Sequence, residues 1–450
     1  MKHIKLFAVA IICSVAFCSC KKYLDAKPNK ALQVPSSVAD LQALLDDDDF
    51  MNGQDGISFD ESSADNFYLT DDVYNHFDQP NRDTYIWNNK NYSNTPNDWF
   101  YLYNIINVAN VVLDNIDNIN VDDGNRAAWS NAKGSALFFR ANAFLHGAFI
   151  FCKAFDESTA AQDYGMSLRL TSDFNQASSR ASLLETYKKI LEDLEVAAQL
   201  LPGLPVHVVR PSKASAYALL ARTFLSMRRY DSCLEYANLA LQLKSDLVDF
   251  NTLSPTASYP FRRYSIEDMF DDVSVQMNYY ASSKYSALID TTLYSSYDRN
   301  DLRKVIYFKT EANGYSFKGS YARSVPFIGI ATDELYLERA ECHARLGDKD
   351  AALNELNTLL ATRWATGTFV PFTAATAPDA LTIILQERRK ELLFRSLRWM
   401  DIKRLNKEGA GIVLKRVIDG VTYTLPPNDN RYALALPADI IRMTGMPQNP

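Results

Sequence analysis

The chain has 450 residues, of which 47% are hydrophobic and 22% are charged. This composition supplies enough apolar side chains for one large or two ordinary globular cores, and it excludes disorder over most of the chain. A formal net charge of −7 without any Lys/Arg-rich run gives no source for a nucleic-acid-binding surface. The sequence also has no G-x-G-x-x-G or G-x-x-x-x-G-K motif, which excludes the commonest phosphate-binding loops.

Residues 1–19 have the parts of a secretory signal peptide. Lys2 and Lys5 precede an apolar run over residues 6–17, and a small residue, Ser19, precedes Cys20. That run is too short to span a bilayer, which needs about 20 residues. The string that ends at Cys20 resembles a bacterial lipobox, although Phe17 stands where Leu is usual. We therefore predict cleavage before Cys20, lipidation of its thiol and anchoring to a membrane; the alternative is an ordinary secretory signal followed by an unmodified cysteine.

The remaining thiols and acidic residues do not form a metal-ligand pattern. Cys152, Cys233 and Cys342 are far apart and lie in helical patterns, so we interpret them as small buried residues, with one disulfide as the alternative. Residues 46–49 are all aspartate and Asp55 is close by, but the spacing is not that of a calcium loop. A solvated acidic loop is the favoured interpretation, and no metal or cofactor is predicted.

Apolar residues at intervals of three and four predict a series of amphipathic helices along the chain. Their ranges are 99–116, 127–155, 183–201, 212–227, 230–243, 333–346, 351–364 and 381–397. Two helix pairs align at a constant offset, which places Ala221 with Ala340 and Cys233 with Ala352. This pattern resembles degenerate tetratricopeptide repeats, in which small residues let helices approach closely. The predicted fold class is mainly α, a tetratricopeptide-like scaffold of helix pairs with long irregular loop insertions.

The helical periodicity fails in two long segments, residues 46–97 and 251–324. Both are longer than ordinary connections, and both are rich in aromatic residues, which disfavours disorder. We expect ordered loops lying on the helical scaffold.

Taken together, these features resemble the SusD/RagB family, the surface nutrient-binding lipoproteins that partner TonB-dependent transporters in Bacteroidota. The resemblance covers nearly the whole chain, and its opening part follows Cys20 with Leu24-Asp25 and Pro28. The most specific part is C-terminal, where Glu387 and Arg388 are followed by an Arg398-Trp399 pair in a pattern similar to the family's R-x-x-E-L-x-F-E-G-x-R-W-x-D-L-x-R signature. Residues 394–396, Phe-Arg-Ser, replace the usual Phe-Glu-Gly and indicate a divergent branch.

The resemblance implies an organisation and a location. Residues 1–19 are the lipoprotein signal peptide, residues 20–250 an N-terminal part with the first repeats and the aromatic loop 46–97, and residues 251–450 a C-terminal part with the insert 251–324, the last repeat and a closing segment. It also implies an outer-membrane protein, lipid-anchored and facing the exterior, which binds a nutrient without transforming it and passes it to a SusC-like transporter.

Ligand contacts are expected from aromatic residues of the two long loops. Sugars have apolar faces and hydroxyl edges, so their sites combine aromatic platforms with polar side chains. The resemblance directs this expectation to loops near the first repeat and to the insert before the last. The candidates are Tyr68, Tyr74, Trp87, Tyr92, Tyr279, Tyr280 and Tyr285. For any single one, the alternative is an aromatic that only anchors its loop to the scaffold.

Three other functions remain as alternatives. A tetratricopeptide-like lipoprotein that organises outer-membrane proteins needs neither the aromatic inserts nor the C-terminal signature. A second alternative is a nutrient binder whose ligand is a peptide or another non-glycan nutrient. A glycoside hydrolase needs two opposed carboxyl groups with separated pKa values. Glu387 and Glu391 are one helical turn apart among arginines, which favours structural ion pairs over general acid catalysis, and the Asp401–Arg404 pair is interpreted likewise. We therefore predict a protein that is not an enzyme, with an oligosaccharide as the first choice of ligand.

Overall fold

A computed structural model of the chain describes residues 35–53, 59–88, 97–274 and 287–450. Within these residues the backbone is mainly helical, and its strands form two-stranded antiparallel sheets. The predicted mainly α fold is confirmed.

The described part of the first aromatic segment is more regular than the sequence predicts, because short helices follow one another along it. The N-terminal elements are α1 (Val38–Leu45), α2 (Asp48–Met51), α3 (Phe59–Ser63), β1 (Phe67–Tyr68), α4 (Asp71–His76) and α5 (Gln79–Tyr85). Several of these helices begin at side chains that accept a hydrogen bond from the first turn: Ser37 does so for α1, Thr70 for α4 and Asp78 for α5.

The long helices follow, close to their predicted ranges. They are α6 (Asp98–Ile116), α7 (Arg126–Phe151), α8 (Leu183–Leu200), α9 (Lys213–Ser226) and α10 (Tyr230–Leu243). Ser212 caps α9 in a capping box with Ser215, as its position before the apolar run predicts.

The second long segment carries small sheets and two short helices. Its elements are β2 (Asp268–Phe270), β3 (Leu288–Ile289), α11 (Thr291–Ser295), α12 (Arg303–Ile306), β4 (Phe308–Glu311), β5 (Gly314–Phe317) and β6 (Ile330–Ala331). Strand β3 pairs with β1, opposing Leu288 to Tyr68. This pairing joins the two aromatic segments of the sequence.

The C-terminal elements complete the scaffold. They are α13 (Thr332–Arg345), α14 (Lys349–Ala361), α15 (Ala377–Glu391), α16 (Arg398–Lys407), β7 (Leu414–Ile418), β8 (Val421–Leu425) and α17 (Ala438–Thr444).

Neighbouring long helices pack side by side into a continuous stack. Helices α6 to α10 pack in chain order, α10 then packs against α13, and α13 packs against both α14 and α15. The repeat predicted from the constant offset corresponds to the pairs α9–α10 and α13–α14. Ala221, Ala340 and Cys233 are fully buried, as positions of close helix approach should be. Cys152, Cys233 and Cys342 are all buried and free of disulfides, which confirms their interpretation as packing residues.

Three helices end at least three residues earlier than predicted, among them α14, which ends at Ala361 instead of residue 364. Helix α15 ends at Glu391 instead of continuing to residue 397, and Phe394 and Ser396 then adopt positive φ angles of 57° and 56°. The Phe394 ring packs against Phe67 and Phe317, with centroids 5.9 Å and 5.0 Å apart, so tertiary packing of an aromatic cluster overrides helix continuation. Helix α7 ends at Phe151 instead of residue 155.

The predicted ion pairs of α15 are confirmed, although most partners come from elsewhere in the chain. Arg303 contacts Glu387 and Glu391 with N–O distances of 2.5 and 2.9 Å, and Arg363 contacts Glu391 at 2.7 Å. All of these side chains are at least 96% buried. Burial alone would raise the pKa of Glu391, but the two arginines hold its pKa below the usual range. The Asp401–Arg404 pair forms at 2.8 Å.

Candidate functional site

A cavity of about 750 Å³ lies where the two long aromatic segments meet the start of α6. Its polar and aromatic wall consists of Asp48, Asp49, Tyr101, Tyr259, Arg263, Arg323 and Ser324. The sequence predicts that these two segments supply a ligand site, and the cavity is a place where they converge.

The side chain of Asn52 fixes the position of α2 against the second segment. Its amide nitrogen donates to the carbonyl oxygens of Asp271 and Val209 at 2.7 and 3.0 Å, and the Val273 N–H donates to the Asn52 carbonyl at 2.9 Å. Asn52 is 1% exposed, so these bonds are shielded from water. They hold Asp48 and Asp49, in the first turn of α2, at the cavity.

Tyr101 reaches the cavity because the helix periodicity turns it away from the core. In α6, Trp99, Leu102, Ile105 and Ile106 are buried, whereas Tyr101 is half-buried. Because Tyr101 lies between core-facing positions of an amphipathic helix, its side chain projects to one side of the apolar stripe.

Tyr259 and Arg323 form an exposed pair on the cavity wall. The Tyr259 side chain is 41% exposed, and the guanidinium carbon of Arg323 lies 5.7 Å from its ring centroid. Arg323 is itself exposed and has a positive φ of 66°, which is uncommon for a residue other than glycine. No carboxylate pairs with Arg323 among the residues that the structure describes.

Arg263, the second cation of the cavity, is held by a buried carboxylate. Its Nη2 lies 3.0 Å from Oδ2 of Asp271, whose side chain is fully buried. Burial raises the pKa of Asp271 against the opposing effect of Arg263. Arg263 also lies over the Tyr264 ring, 5.0 Å from its centroid. The guanidinium is therefore oriented before any ligand arrives, which lowers the entropy cost of binding.

This set of groups suits a hydroxyl-rich, partly apolar ligand. Tyrosine rings offer flat apolar faces, carboxylates accept hydrogen bonds from hydroxyl groups, and guanidinium groups donate to hydroxyl and ring oxygens. Across the described ranges, no group of three or more His, Cys, Asp or Glu side chains is placed to hold a metal ion. Asp46, part of the acidic run, instead pairs with Arg210 at 2.7 Å, and Asp55 lies outside the described residues.

Three of the aromatic residues predicted to contact ligand lie within the described residues, away from the cavity wall. Trp87 is 1% exposed, its indole N–H donates to the Ser63 carbonyl at 2.9 Å, and Arg416 lies 5.4 Å from its ring centroid. Tyr74 is 8% exposed, and burial raises its pKa to about 12. Neither ring has a face open to a ligand, and both have the contacts of residues that anchor their segments. Tyr68 is half-buried and donates its hydroxyl hydrogen to the Asn313 carbonyl at 3.2 Å.

The other four candidates, Tyr92, Tyr279, Tyr280 and Tyr285, lie outside the described residues. Val273 lines the cavity and precedes Tyr279 and Tyr280 closely in sequence. Ligand contact by these residues stays a prediction. Sequence reasoning did not identify Tyr101 and Tyr259; the available signal for Tyr101 was its place beside the apolar stripe of a predicted helix.

Two protein-family models match the chain, and together they cover most of it. A SusD-like model described as starch-binding and associating with the outer membrane matches residues 22–225. A SusD family model matches residues 262–435. Asp48, Asp49 and Tyr101 of the cavity wall lie in the first match and Arg263 and Arg323 in the second, whereas Tyr259 lies in the gap between the two matches.

Individual proteins show the same similarity over 78% or more of this chain. SusD-like protein P2 of Formosa agariphila is 24% identical over 419 residues, 78% of this chain and 79% of that protein. A SusD-like carbohydrate-binding protein of Bacteroides vulgatus superimposes with a TM-score of 0.71 at 20% identity, covering 91% of this chain and 97% of that structure. A SusD superfamily protein of Bacteroides thetaiotaomicron gives a TM-score of 0.72 at 18% identity, with 92% and 100% covered.

Proposed function

The chain belongs to the SusD/RagB family, and we propose that it is a surface-exposed lipoprotein that captures an oligosaccharide in the cavity of Tyr101 and Tyr259 and delivers it to a SusC-like TonB-dependent transporter. The family is one of carbohydrate-binding, non-catalytic proteins associated with the outer membrane. The location of the ligand, the lipid anchor, the exterior orientation and the delivery step are the parts that we add.

The observation that carries the ligand assignment is the exposed Tyr259–Arg323 pair facing a cavity that also contains Tyr101, Asp48 and Asp49. A sugar ring that stacks on tyrosine buries its apolar face, while its equatorial hydroxyls point outward to carboxylate and guanidinium groups. A cavity of about 750 Å³ is in the size range of small-molecule sites. Passage to a transporter requires that the ligand leave again, so a wall of a few aromatic and polar groups suits the role better than full enclosure.

The membrane attachment rests on Cys20. Within the described ranges, none of the helices combines the length and the apolar character that a membrane span requires. Several acyl chains on one cysteine would hold the protein on a bilayer more firmly than the single chain that gives only reversible binding. Mass spectrometry of the mature N-terminus tests this part, since an unmodified Cys20 would contradict it.

The ligand site is tested by calorimetric titration of the purified soluble chain, starting after Cys20, with a panel of neutral and acidic oligosaccharides and a matched set of peptides. We expect an oligosaccharide to bind and Tyr259→Ala to weaken it about tenfold, because loss of one stacked ring removes about 1.4 kcal/mol. Tyr101→Ala should act in the same direction.

Tyr164→Ala is the matched control, since Tyr164 is 43% exposed and lies under Arg180 at 5.1 Å without lining the cavity. Equal affinity of Tyr259→Ala and the unchanged chain for a bound oligosaccharide would overturn the cavity as the site. Binding of peptides alone would replace the ligand class, and a chain that binds the transporter but no panel member would favour the scaffold alternative.

A further inference from the structure

The two arginines of the ligand cavity differ in how far their charges are compensated. Arg263 faces the buried carboxylate of Asp271 at 3.0 Å. Burial lowers the pKa of Arg263, but Asp271 and, more weakly, Asp48 raise it above its usual range. Arg323 has no carboxylate partner in the described ranges, where its backbone N–H donates to the Ser320 carbonyl at 3.3 Å. Within the described wall, the guanidinium of Arg323 is therefore a cation without a compensating anion.

The turn that carries Arg323 is fixed by the hydroxyl group of Ser320. This hydroxyl accepts hydrogen bonds from the N–H groups of Ala322 and Phe327 at 3.1 and 3.0 Å, and it donates to the Val325 carbonyl at 2.5 Å. Ser320 is 4% exposed, so these bonds are shielded from water. The backbone on both sides of Arg323 is thus ordered in advance, and a ligand has to immobilise only the side chain.

The aspartates of the cavity wall lie nearer to the other arginine. Burial raises the pKa of Tyr264, and the charges of Asp48 and Asp49 add to that rise; Tyr264 follows Arg263 directly in the chain. Neither aspartate forms an ion pair with Arg323 in the part of the chain that the structure describes. The charges of the wall are therefore separated, with carboxylates beside Arg263 and an uncompensated guanidinium at Arg323.

A guanidinium whose donors are available matches an oxyanion better than it matches a hydroxyl group. Carboxylate and sulfate oxygens accept two parallel N–H bonds from the planar fork, whereas a hydroxyl oxygen engages only part of it. The guanidinium carbon of Arg323 lies 5.7 Å from the centroid of the Tyr259 ring. A sugar ring that rests against Tyr259 therefore brings its substituents within reach of Arg323.

We propose that Arg323 makes this cavity selective for acidic oligosaccharides, by binding a carboxylate or sulfate group of a sugar whose ring contacts Tyr259. The inference rests on the proposed function, because it assumes that an oligosaccharide occupies the cavity. It adds the charge class of the ligand and the residue that selects it. Asp48 and Asp49 then accept hydrogen bonds from hydroxyl groups of the uncharged part of the ligand.

The test is calorimetric titration of the soluble chain with two matched pairs of oligosaccharides. One pair is an oligogalacturonate and its methyl ester, and the other is a sulfated galactan oligosaccharide and its desulfated form. We expect an acidic member to bind about tenfold more tightly than its neutral counterpart, the lower end of what a hydrogen bond to a charged group contributes. The pair that shows the preference identifies carboxylate or sulfate as the group bound. Raising the salt concentration from about 0.1 to about 1 M should reduce the preference, because the screening length falls from about 10 to about 3 Å.

Three variants assign the preference to the fork of Arg323. Arg323→Gln should weaken binding of the acidic member about tenfold and change that of the neutral member less than about twofold. Arg323→Lys, which keeps the charge without the planar fork, should keep only part of the preference. Arg262→Gln is the matched control, since Arg262 is exposed and does not belong to the cavity wall, and it should keep the full preference.

The contrary results separate this inference from the proposed function. Equal affinities for the acidic and neutral members of both pairs, or binding of only uncharged oligosaccharides, overturn the inference while leaving the cavity as the ligand site if Tyr259→Ala weakens binding. Undiminished binding of the acidic member by Arg323→Gln also overturns it. Equal losses in Arg262→Gln and Arg323→Gln would assign the preference to the overall charge instead of this residue. Failure of every oligosaccharide to bind removes the proposed function together with the inference.

Discussion

Replacement of Arg303 by methionine should destabilise the chain by about 3–5 kcal/mol, the cost of leaving one buried charge without its partner. Arg303 contacts three carboxylates, those of Asp301, Glu387 and Glu391, at 2.5 to 2.9 Å. Two of them keep another cation in the variant, because Lys390 contacts Glu387 at 2.6 Å and Arg363 contacts Glu391 at 2.7 Å. Only Asp301, which is 2% exposed, loses the one ion-pair partner that it has within the described part of the chain, and the expected cost is therefore that of a single unpaired carboxylate.

The measurement is urea unfolding of the soluble chain followed by circular dichroism, with the slope m compared between variants. Arg431→Met is the matched control, since Arg431 pairs with Asp429 at 2.9 Å but both side chains are at least a quarter exposed. Such surface pairs contribute about 0–1 kcal/mol. A loss below about 1 kcal/mol in Arg303→Met, with an unchanged slope, would refute the reasoning that the variant leaves Asp301 as a buried carboxylate without a compensating charge.

Two further predictions concern stability. Burial raises the pKa of Glu61 to about 7, although the hydrogen bond from Asn66 acts in the opposite direction. Between about pH 4.5 and 7 the folded chain therefore keeps a proton that the unfolded chain has released. The free energy of unfolding should fall as the pH rises through that window. Glu61→Gln should reduce this fall by up to about 3 kcal/mol, and an equal fall in Glu61→Gln and in the unchanged chain would contradict the assignment. Gly347→Ala should lower the free energy of unfolding by about 1 kcal/mol. The cost comes from the backbone, because Gly347 lies just beyond the end of α13 with a φ of +89°. Steric overlap does not contribute, since no neighbouring atom lies within 4 Å of the position of the added methyl group. Gly203→Ala, where φ is not positive, is the control and should change the unfolding midpoint little.

The scaffold was predictable because a buried helix face repeats every three to four residues. The predicted range 230–243 is also the observed range of α10, and Ser212 marks the start of α9 as a capping residue should. The end of α15 was not predictable, since the positive φ of Phe394 depends on rings from residues far away in the chain.

The candidate site was predictable as a region but not as a set of residues. Composition indicated the two aromatic segments, and these do meet at the cavity. Composition could not distinguish Trp87, whose indole N–H donates a hydrogen bond to the Ser63 carbonyl in the core, from Tyr259, whose ring is exposed. Burial of a loop aromatic depends on tertiary contacts that local sequence does not specify.

The cavity wall is assembled from positions as distant as Asp48 and Val325, and this has a consequence for how specificity changes in evolution and in the laboratory. Neither half of the polypeptide carries a complete wall, so a truncated gene product that folds would lack the proposed ligand site. Conversely, exchanging the two segments that carry Tyr259 and Arg323 between relatives replaces one part of the cavity wall while Asp48, Asp49 and Tyr101 stay in place. In chimaeras of this kind, the ligand specificity would change one part of the cavity wall at a time, while the helical scaffold stays the same.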